Sequence, residues 1–230
     1  MSHEKIAATF DEWARTDRTL RMQEGHEDVG RQVIARMGVR PGEAILDLGC
    51  GHGWATRLLG AAAPGSQAVG VDVSRSMLRR AEELHDLTAR ARYEHGKFEE
   101  LDFAGDRFHR IFSMEALYYA VDLGRSLGEM LRVLKPGGTA DVVVNRFEES
   151  PHSARWDALL GVDMHFLGAD QWRAAFERAG FVNVRTERLR DSRGPGSEAD
   201  FETSEHCPDW KTQVELHEAG SLWIHAEKPA

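Results

Sequence analysis

The sequence has little cysteine, no long apolar run and no cluster of basic residues. Its two cysteines, Cys50 and Cys207, are too few for a disulfide framework and lack the spacing of a zinc site or a redox dithiol. No stretch approaches the roughly 18 apolar residues of a membrane-spanning helix, and the N-terminal segment lacks the apolar core of a secretion signal. We therefore expect a cytoplasmic protein with no integral membrane segment and no metal centre.

Charge and size narrow the class of protein further. The formal net charge is −9, and no Lys/Arg-rich run is present to neutralise a phosphate backbone, which argues against nucleic acid as a partner. The 41% hydrophobic and 29% charged residues are ordinary for a globular protein. A length of 230 residues favours one enlarged domain. The sequence thus predicts an enzyme of small molecules and gives no indication of its oligomeric state.

Strand-like and helix-like segments alternate through the first two thirds of the chain. Apolar runs predict strands at 44–48, 68–71, 91–94, 111–114 and 139–144. Helix-length segments lie between them at 54–62, 75–87 and 123–134, with Ser74 as an N-cap and "KPGG" at 135–138 expected to end the third helix. This alternation predicts an α/β fold with a parallel sheet and helices on both faces.

The two ends of the chain lie outside this alternation. Residues 1–40 predict two amphipathic helices, and 146–166 interrupts the chain after the fifth strand, so both segments could cover the carboxyl edge of the sheet. The last third predicts a helix at 169–179, a further helix at 209–219 and strands at 181–189 and 221–227. We therefore expect one domain made of a helical cap (1–40), a cofactor-binding core (41–145), a lid or acceptor insertion (146–166) and a C-terminal helix and strand pair (167–230).

A glycine-rich turn follows the first predicted strand in "AILDLGCGHGWATRLL", residues 44–59. Gly49, Gly51 and Gly53 permit positive φ and remove the Cβ atoms that would keep a ligand from the backbone. Asp72 follows Gly53 by 19 residues at the end of the second strand, where a carboxylate can accept hydrogen bonds from two ribose hydroxyls. The pattern favours a nucleoside-bearing ligand, although Gly49 alone could make a turn and Asp72 alone could cap a helix.

Two residues beside the turn distinguish among such ligands. Trp54 occupies the sixth position of G-x-G-x-x-G and breaks the dinucleotide fingerprint. Asp47 would repel a diphosphate, yet it suits a ligand with an ammonium and a sulfonium group. A nicotinamide-dependent oxidoreductase is therefore disfavoured, and S-adenosylmethionine is the better candidate.

The order and spacing of four segments resemble a known family. "AILDLGCGHGWATRLL", "AVGVDVSRSMLRRA", "HRIFSMEALYYAVDLGRSLGEMLRVLKPGG" and "AFERAGFVNV" resemble the class I S-adenosylmethionine-dependent methyltransferases, in the small-molecule branch that includes the ubiquinone and menaquinone methyltransferases. The resemblance covers residues 41–189. It implies S-adenosylmethionine as cofactor and a three-layer Rossmann-like fold, with a seven-stranded, mostly parallel sheet whose last strand is antiparallel.

The resemblance also implies roles for individual residues around the cofactor. The third strand of this branch usually ends in Gly-Asp-Ala, but this chain has Gly96-Lys97-Phe98, so the adenine contact would rest on the backbone or ring of Phe98 or on Glu99. The implied cofactor set is Asp47 at the methionine amino group, Gly49, Cys50 and Gly51 along the methionine part, Asp72 at the ribose, Val73, Met77, Lys97 and Phe98 around the adenine, and Ser113 and Met114 beside the sulfonium.

The acceptor side is less well defined by the sequence. Methyl transfer is an in-line displacement, so alignment can supply much of the catalysis and a base is needed only where the nucleophile must lose a proton. "SMEALYY" stands where base-modifying relatives carry an Asn/Asp-Pro-Pro-aromatic turn. We predict Glu115, Tyr118 and His165 as catalytic candidates. Packing of a helix onto the sheet would explain Tyr118 equally well, and a histidine in a loop such as that of His165 more often has a surface or structural role.

Further candidates near the acceptor are Tyr119, Asn145, His152, Trp156 and His206, with Phe10 and Trp13 as a possible aromatic shield. The sequence thus predicts S-adenosylmethionine-dependent methyl transfer to a small molecule. A non-catalytic module that binds S-adenosylmethionine or S-adenosylhomocysteine is the alternative.

Overall fold

A computed structural model describes residues 2–16, 18–85 and 88–230. Seven strands form one sheet in the order β3-β2-β1-β4-β5-β7-β6. The strands are β1 (Ala44–Leu48), β2 (Gln67–Asp72), β3 (Ala91–His95), β4 (Phe108–Met114), β5 (Leu134–Val144), β6 (Val182–Leu189) and β7 (Ser221–Glu227). Strand β7 runs antiparallel to both β5 and β6, while the other neighbouring pairs are parallel. The predicted fold class is confirmed.

Helices cover both faces of the sheet and its carboxyl edge. They are α1 (His3–Trp13), α2 (Arg18–Arg36), α3 (Trp54–Gly60), α4 (Arg75–Glu83), α5 (Leu123–Val133), α6 (Trp156–Leu160), α7 (Ala169–Arg178) and α8 (Trp210–Ala219). Ser74 caps α4 as predicted, its hydroxyl accepting a hydrogen bond from the Met77 amide. The predicted end of that helix, Leu87, lies outside the described residues. Within the described ranges, no helix is both long and apolar enough to cross a membrane.

Each face of the sheet carries its own apolar core because parallel strands are buried on both sides. Ile45, Phe112 and Val143 face α2 and α3 on one side. Alternate residues such as Leu46 and Ile111 face α5 and α7 on the other. This packing holds the carboxyl ends of β1, β2 and β4 next to one another.

The prediction that "KPGG" ends the third helix was wrong. Helix α5 already ends at Val133, and Leu134 has extended backbone angles (φ −68°, ψ 143°) and pairs with Phe108. The Pro and Gly residues lie inside the long strand β5, where the register with β4 shifts and Gly137 has a φ of +71°. Glycine and proline therefore mark an irregularity at the start of a strand here, not a helix terminus.

The N-terminal helices reach the carboxyl edge of the sheet, as expected from the amphipathic pattern. Ile6 of α1 is buried, and the ring of Phe10 packs edge-to-face on Tyr119 at a centroid distance of 5.1 Å. Helix α2 approaches α3 so closely that a Cβ on Gly30 would lie 2.5 Å from the Trp54 ring. Trp54 thus fills the space where the cap meets the glycine-rich turn.

Candidate active site

The glycine-rich turn after β1 forms the floor of the site. Gly49, Gly51 and Gly53 have φ values of +78°, +52° and +78°, a region that side chains disfavour. A Cβ on Gly53 would lie 2.5 Å from the Tyr93 ring. The amides of Gly49 and Cys50 donate to the Val71 carbonyl at 2.8 and 3.0 Å, which ties the turn to β2.

Asp72 joins the turns that follow β1 and β2. Its Oδ2 accepts from the Gly51 amide at 2.9 Å, and its Oδ1 accepts from the Ser74 amide at 2.8 Å. Burial raises the pKa of this carboxyl to about 6, although the two amide hydrogen bonds oppose that shift. Since a carboxylate offers about four acceptor positions, capacity remains for two hydroxyl donors.

A cleft opens above these turns, between the sheet edge and the N-terminal helices. Its empty volume is about 840 Å³ including its opening to solvent. The predicted cofactor residues that line it are Gly49, Cys50, Gly51, Asp72, Val73, Met77, Lys97, Phe98 and Met114. Backbone, carboxylate and apolar side chains thus face one cavity, the combination that small-molecule sites use.

Asp47 and Ser113, two other predicted cofactor residues, lie behind the cleft wall. Asp47 is 1% exposed, and its Oδ2 accepts from the Thr56 hydroxyl at 2.6 Å. Burial raises the pKa of Asp47 to about 7. Ser113 donates through Oγ to the Leu48 carbonyl at 2.8 Å. Asp47 thus ties α3 to β1 and Ser113 ties β4 to β1, both next to the glycine-rich turn, so in this arrangement they act on a ligand through that turn.

Lys97, Phe98 and Glu99 form the side of the cleft next to Asp72. Glu99 is 6% exposed, and its Oε1 accepts from the amides of Val121 and Asp122 at 2.7 and 3.0 Å. Its Oε2 lies 3.5 Å from His3 Nε2 of the cap. Oε1 of Glu99 is therefore engaged with the protein itself, while its Oε2 has no hydrogen-bond partner among the described residues, so Phe98 and Glu99 both stay predictions for the adenine contact.

The three catalytic candidates occupy different positions. Glu115 lines the cleft directly after β4 and has a φ of +54°. Tyr118 is buried behind it and donates through its hydroxyl to Glu115 Oε2 at 2.9 Å. His165 lies farther away, with Nε2 2.9 Å from the Ala120 carbonyl and its amide donating to the Tyr118 carbonyl at 2.8 Å. His165 thus supports the segment that carries the tyrosines from behind.

The cap contributes Phe10, which the sequence predicted as an aromatic shield, and further residues that the sequence did not identify as ligand contacts. The further residues are His3 and Ile6 of α1 and Met22, Gln23 and His26 of α2, joined by His52 of the glycine-rich turn. His52 Nε2 lies 2.9 Å from Gln23 Oε1. Burial lowers the pKa values of His26 and His52 to about 4, so both rings are neutral at pH 7. The amphipathic pattern of α2 was the available signal, but it could not indicate which side chains face the cleft.

A second cavity, with an empty volume of about 1130 Å³, adjoins the cleft. His26 lines both, and Asn145, Trp156, Arg193 and Gln213 are among the other residues of the second cavity. Across the described part of the chain, Asn145 Oδ1 and Trp156 Nε1 are buried without a hydrogen-bond partner. Two residues of its wall thus carry buried polar atoms without a partner in that part of the chain.

Of the remaining sequence candidates, Tyr119 lines the first cleft and the others lie outside it. His152 pairs with Glu215, with Nε2 and Oε2 2.5 Å apart. The His206 ring lies 6.2 Å from the Trp156 ring, and Cys207 beside it is buried. Trp13 stacks under the Arg18 guanidinium at 3.8 Å. These contacts fix loops and the cap, and the side chains of His152, His206, Cys207 and Trp13 do not line the first cleft.

The parallel sheet, the glycine-rich turn and the carboxylate at the end of β2 define a nucleoside-binding enzyme of the Rossmann-like type. Residues 45–138 match the family described as methyltransferase domain. Demethylmenaquinone methyltransferase of Staphylococcus aureus is 29% identical over 188 residues, which cover 70% of this chain and 77% of that protein.

Solved structures extend the match to nearly the whole chain. A methyltransferase in complex with the Trm112 methyltransferase activator of Haloferax volcanii is 32% identical, with a TM-score of 0.87, covering 96% of this chain and 98% of that one. An S-adenosylmethionine-dependent methyltransferase of Mesorhizobium loti shares the fold, with a TM-score of 0.65 and 23% identity over 85% of this chain and 96% of that one. The chain belongs to the class I S-adenosylmethionine-dependent methyltransferases, and S-adenosylmethionine is its methyl donor.

The α1 cap is held over the cleft by Asp11. Asp11 Oδ1 accepts from the Ser74 hydroxyl at 2.6 Å and from the Ser76 amide at 2.9 Å. Burial alone would raise the pKa of Asp11, but these hydrogen bonds outweigh it and the pKa is lowered. The ionised carboxylate therefore fastens α1 to the N-terminus of α4, directly beside Asp72.

Asp11→Ala is expected to accelerate dissociation of S-adenosylmethionine about tenfold, since hydrogen bonds to a charged group contribute about 1.5–3 kcal/mol and about 1.4 kcal/mol corresponds to tenfold. Rapid dilution of the complex with labelled cofactor measures the rate. The matched control is Glu12→Ala, which removes an exposed carboxylate from the next position of the same helix. Equal dissociation rates for the two variants would show that Asp11 does not retain the cap.

Proposed function

We propose that this enzyme transfers the methyl group of S-adenosylmethionine to a small molecule that enters through the second cavity. The observation that carries the proposal is His26, which lines both cavities and so joins the cofactor cleft to a second cavity with polar residues in its wall. Sites for small molecules are concave and combine apolar walls with a few polar groups. The net charge of −9 also disfavours a nucleic-acid acceptor.

The proposed binding mode assigns each part of the cofactor to a part of the cleft. Asp72 accepts hydrogen bonds from the ribose hydroxyls, and Val73, Met77 and Phe98 surround the adenine. The turn from Gly49 to Gly51 follows the methionine part. Met114 and Glu115 face the methyl group. The support is that all these residues line one cleft.

In the proposed reaction the protein mainly aligns the reactants and excludes water. The side chains of Ile6 and Phe10 close the cleft from the α1 side, and the neutral rings of His26 and His52 add no positive charge beside the donor. S-adenosylmethionine supplies an activated methyl group. Alignment for in-line displacement in such a site accounts for much of the expected rate enhancement.

A labelled-methyl screen tests this proposal. The enzyme and methyl-labelled S-adenosylmethionine are incubated with a cell extract that has been separated by ultrafiltration into metabolites and macromolecules. Label is expected in the metabolite fraction. Because the Haloferax volcanii relative is in complex with a Trm112 activator, a parallel reaction includes the Trm112 homologue from the organism that supplies this chain.

The other outcomes of the screen distinguish the alternatives. Label in protein or RNA, with or without Trm112, would contradict a small-molecule acceptor. Tight binding of S-adenosylmethionine with no label in either fraction would instead support the non-catalytic binding module.

A further inference from the structure

Glu115 lines the cleft directly after Met114, and in the described part of the chain one of its carboxylate oxygens is buried without a hydrogen-bond partner. Its Oε2 accepts from the Tyr118 hydroxyl at 2.9 Å. Its Oε1 is buried and has no hydrogen-bond partner among the residues that the structure describes. The positive φ of +54° is unusual for a residue with a side chain, and such strained positions are concentrated at functional sites. The fold therefore holds an acceptor of hydrogen bonds beside Met114 that the protein does not itself use.

Burial makes Glu115 unfavourable to ionise in the ligand-free protein. It raises the pKa of Glu115 to about 8, and the Tyr118 hydroxyl and the nearby Asn145 backbone oppose that shift only in part. The other titratable groups that line the cleft are His3, His26, Cys50, His52, Asp72, Lys97, Glu99 and Tyr119. Tyr118 and Tyr119 lie on the segment that follows Glu115. Burial raises the pKa values of both tyrosines, and the Glu115 charge adds to that shift.

The nearby arginines make contacts outside the cleft, although Nε of Arg146 is buried without a hydrogen-bond partner among the described residues. Arg18 stacks on Trp13 at 3.8 Å. Arg146 is 2% exposed and donates to the Ala154 and Met164 carbonyls and to Asp157. In the described lining of the cleft, Lys97 is the one Lys or Arg, and it follows β3 beside Phe98. The methyl end thus has a carboxyl group without a cationic partner.

We propose that Glu115 ionises when the positive charge of S-adenosylmethionine binds beside it and then accepts the proton of the methyl acceptor, which is a nucleophile that has an N–H or O–H bond and no negative charge. This inference rests on the proposed function. An opposite charge within about 4–6 Å favours the ionised form of a carboxyl group. An anionic acceptor would meet the Glu115 carboxylate without a cation to pair with it.

The transfer is balanced in atoms and charge. The lone pair of the acceptor nitrogen or oxygen forms the new bond to the methyl carbon, and the electron pair of the broken carbon–sulfur bond returns to sulfur. The proton from nitrogen or oxygen passes to Glu115 Oε1. One positive sulfonium and one negative carboxylate become a neutral thioether and a neutral carboxylic acid. The methylated acceptor keeps the charge it had before.

Proton release on binding tests the first half of this inference without knowledge of the acceptor. Titration calorimetry at pH 7 in buffers of different ionisation enthalpy counts protons released by S-adenosylmethionine and by S-adenosylhomocysteine. The two ligands share the ribose, adenine and amino acid, so their difference isolates the sulfonium charge. With a pKa of about 8, about 0.9 of the free Glu115 carboxyl groups are protonated at pH 7. We expect S-adenosylmethionine to release close to one more proton than S-adenosylhomocysteine.

The affinity ratio of the two ligands has a defined pH dependence. Below pH 8 the free protein must lose the Glu115 proton to bind the sulfonium. The preference for S-adenosylmethionine is therefore expected to rise by up to about tenfold per pH unit between about pH 6 and 8 and then to level off. S-adenosylhomocysteine, which is uncharged at sulfur, shows no such rise.

Two variants test whether the extra proton released on binding comes from Glu115. Glu115→Gln removes the titrating group with little change in shape, and the extra proton release is expected to disappear while S-adenosylhomocysteine still raises the melting temperature. Tyr118→Phe removes a hydrogen bond that favours the ionised form. The extra release is expected to persist in that variant but to shift to higher pH.

The opposing outcomes separate this inference from the proposed function. Unchanged extra release in Glu115→Gln would assign the proton to another carboxyl, such as Asp47, and overturn the inference. Equal proton release by both ligands in the wild type would also overturn the inference about Glu115. Because both ligands would still bind, that result would not contradict the methyltransferase function. Failure of both ligands to bind would contradict the cofactor site. In the labelled-methyl screen, label in acceptors that bind an anion exchanger at neutral pH would contradict the proposed acceptor class.

Discussion

A Gly49→Ala protein is expected to bind S-adenosylmethionine at least about 100-fold more weakly than the wild type and to unfold at a lower urea concentration. The added Cβ would overlap the Ala116 Cβ and lie 3.2 Å from the Phe98 ring. A real Cβ does not approach another atom below 3.0 Å, so the turn and the segment after β4 must separate. Those two elements carry the methionine and methyl ends of the proposed site, and a misplacement of about 1 Å can cost about 100-fold.

Gly42→Ala is the matched control because Gly42 has the same φ of +78°, but no atom lies within 4 Å of the position that a Cβ would take there. The loss of stability in Gly42→Ala measures the cost of a side chain on left-handed backbone alone, which is about 1–2 kcal/mol. Overpacking adds about 1–3 kcal/mol at Gly49. Urea denaturation gives both stabilities, and calorimetry gives the binding constants. Equal stability of the two variants, with unchanged binding by Gly49→Ala, would contradict the close contact as the reason for this glycine.

Much of the sheet could be predicted because its strands are apolar on both faces. Strand β1 was predicted with its observed bounds, Ala44–Leu48, since Asp47 is the only interruption of a short apolar run that ends in glycine. Strands β4 and β5 begin earlier than predicted, at Phe108 and Leu134. Their first residues pair through an irregular register and carry His, Arg, Lys and Pro, which have no strand-like pattern. Pairing between distant segments, not local sequence, fixes those ends.

The cofactor side of the site was more accessible to sequence analysis than the acceptor side. A glycine-rich turn and an acidic residue about 20 positions later are brought together by any strand-helix-strand unit, so Gly51 and Asp72 could be paired from spacing alone. Asp47 is different, because the direction of its side chain toward Thr56 depends on how α3 packs on β1. The residues contributed by α2 depend likewise on the angle at which the cap lies over the sheet. Helical periodicity indicates an apolar stripe but not what that stripe covers.

Asp72→Asn is expected to weaken binding of both S-adenosylmethionine and S-adenosylhomocysteine about 100-fold. The carboxylate accepts from the Gly51 and Ser74 amides, and an asparagine would direct an NH₂ group at one of these donors. The substitution therefore removes a charged acceptor for the ribose and disturbs the turn that binds the methionine part. Hydrogen bonds to charged groups contribute about 1.5–3 kcal/mol each, and a 100-fold change corresponds to about 2.7 kcal/mol.

The pH dependence of S-adenosylhomocysteine binding distinguishes loss of this charge from general damage. Burial raises the pKa of Asp72 to about 6. The ligand-free fold therefore favours the protonated carboxyl, and its stability falls as pH rises from about 4 to 6. Binding to the ribose hydroxyls requires the ionised acceptor, so wild-type affinity is expected to fall as pH decreases below about 6. The Asn variant should bind weakly and without this dependence.

Asp47→Asn is the matched control for a buried carboxyl beside the same turn. An asparagine side chain at this position can still accept from the Thr56 hydroxyl, and Asp47 lies outside the lining of the cleft. Affinity for S-adenosylhomocysteine in this variant is expected to stay within a few fold of the wild type and to keep its fall below about pH 6. If Asp47→Asn instead removed the pH dependence and Asp72→Asn retained it, Asp47 and not Asp72 would be the carboxylate that accepts hydrogen bonds from the ribose hydroxyls.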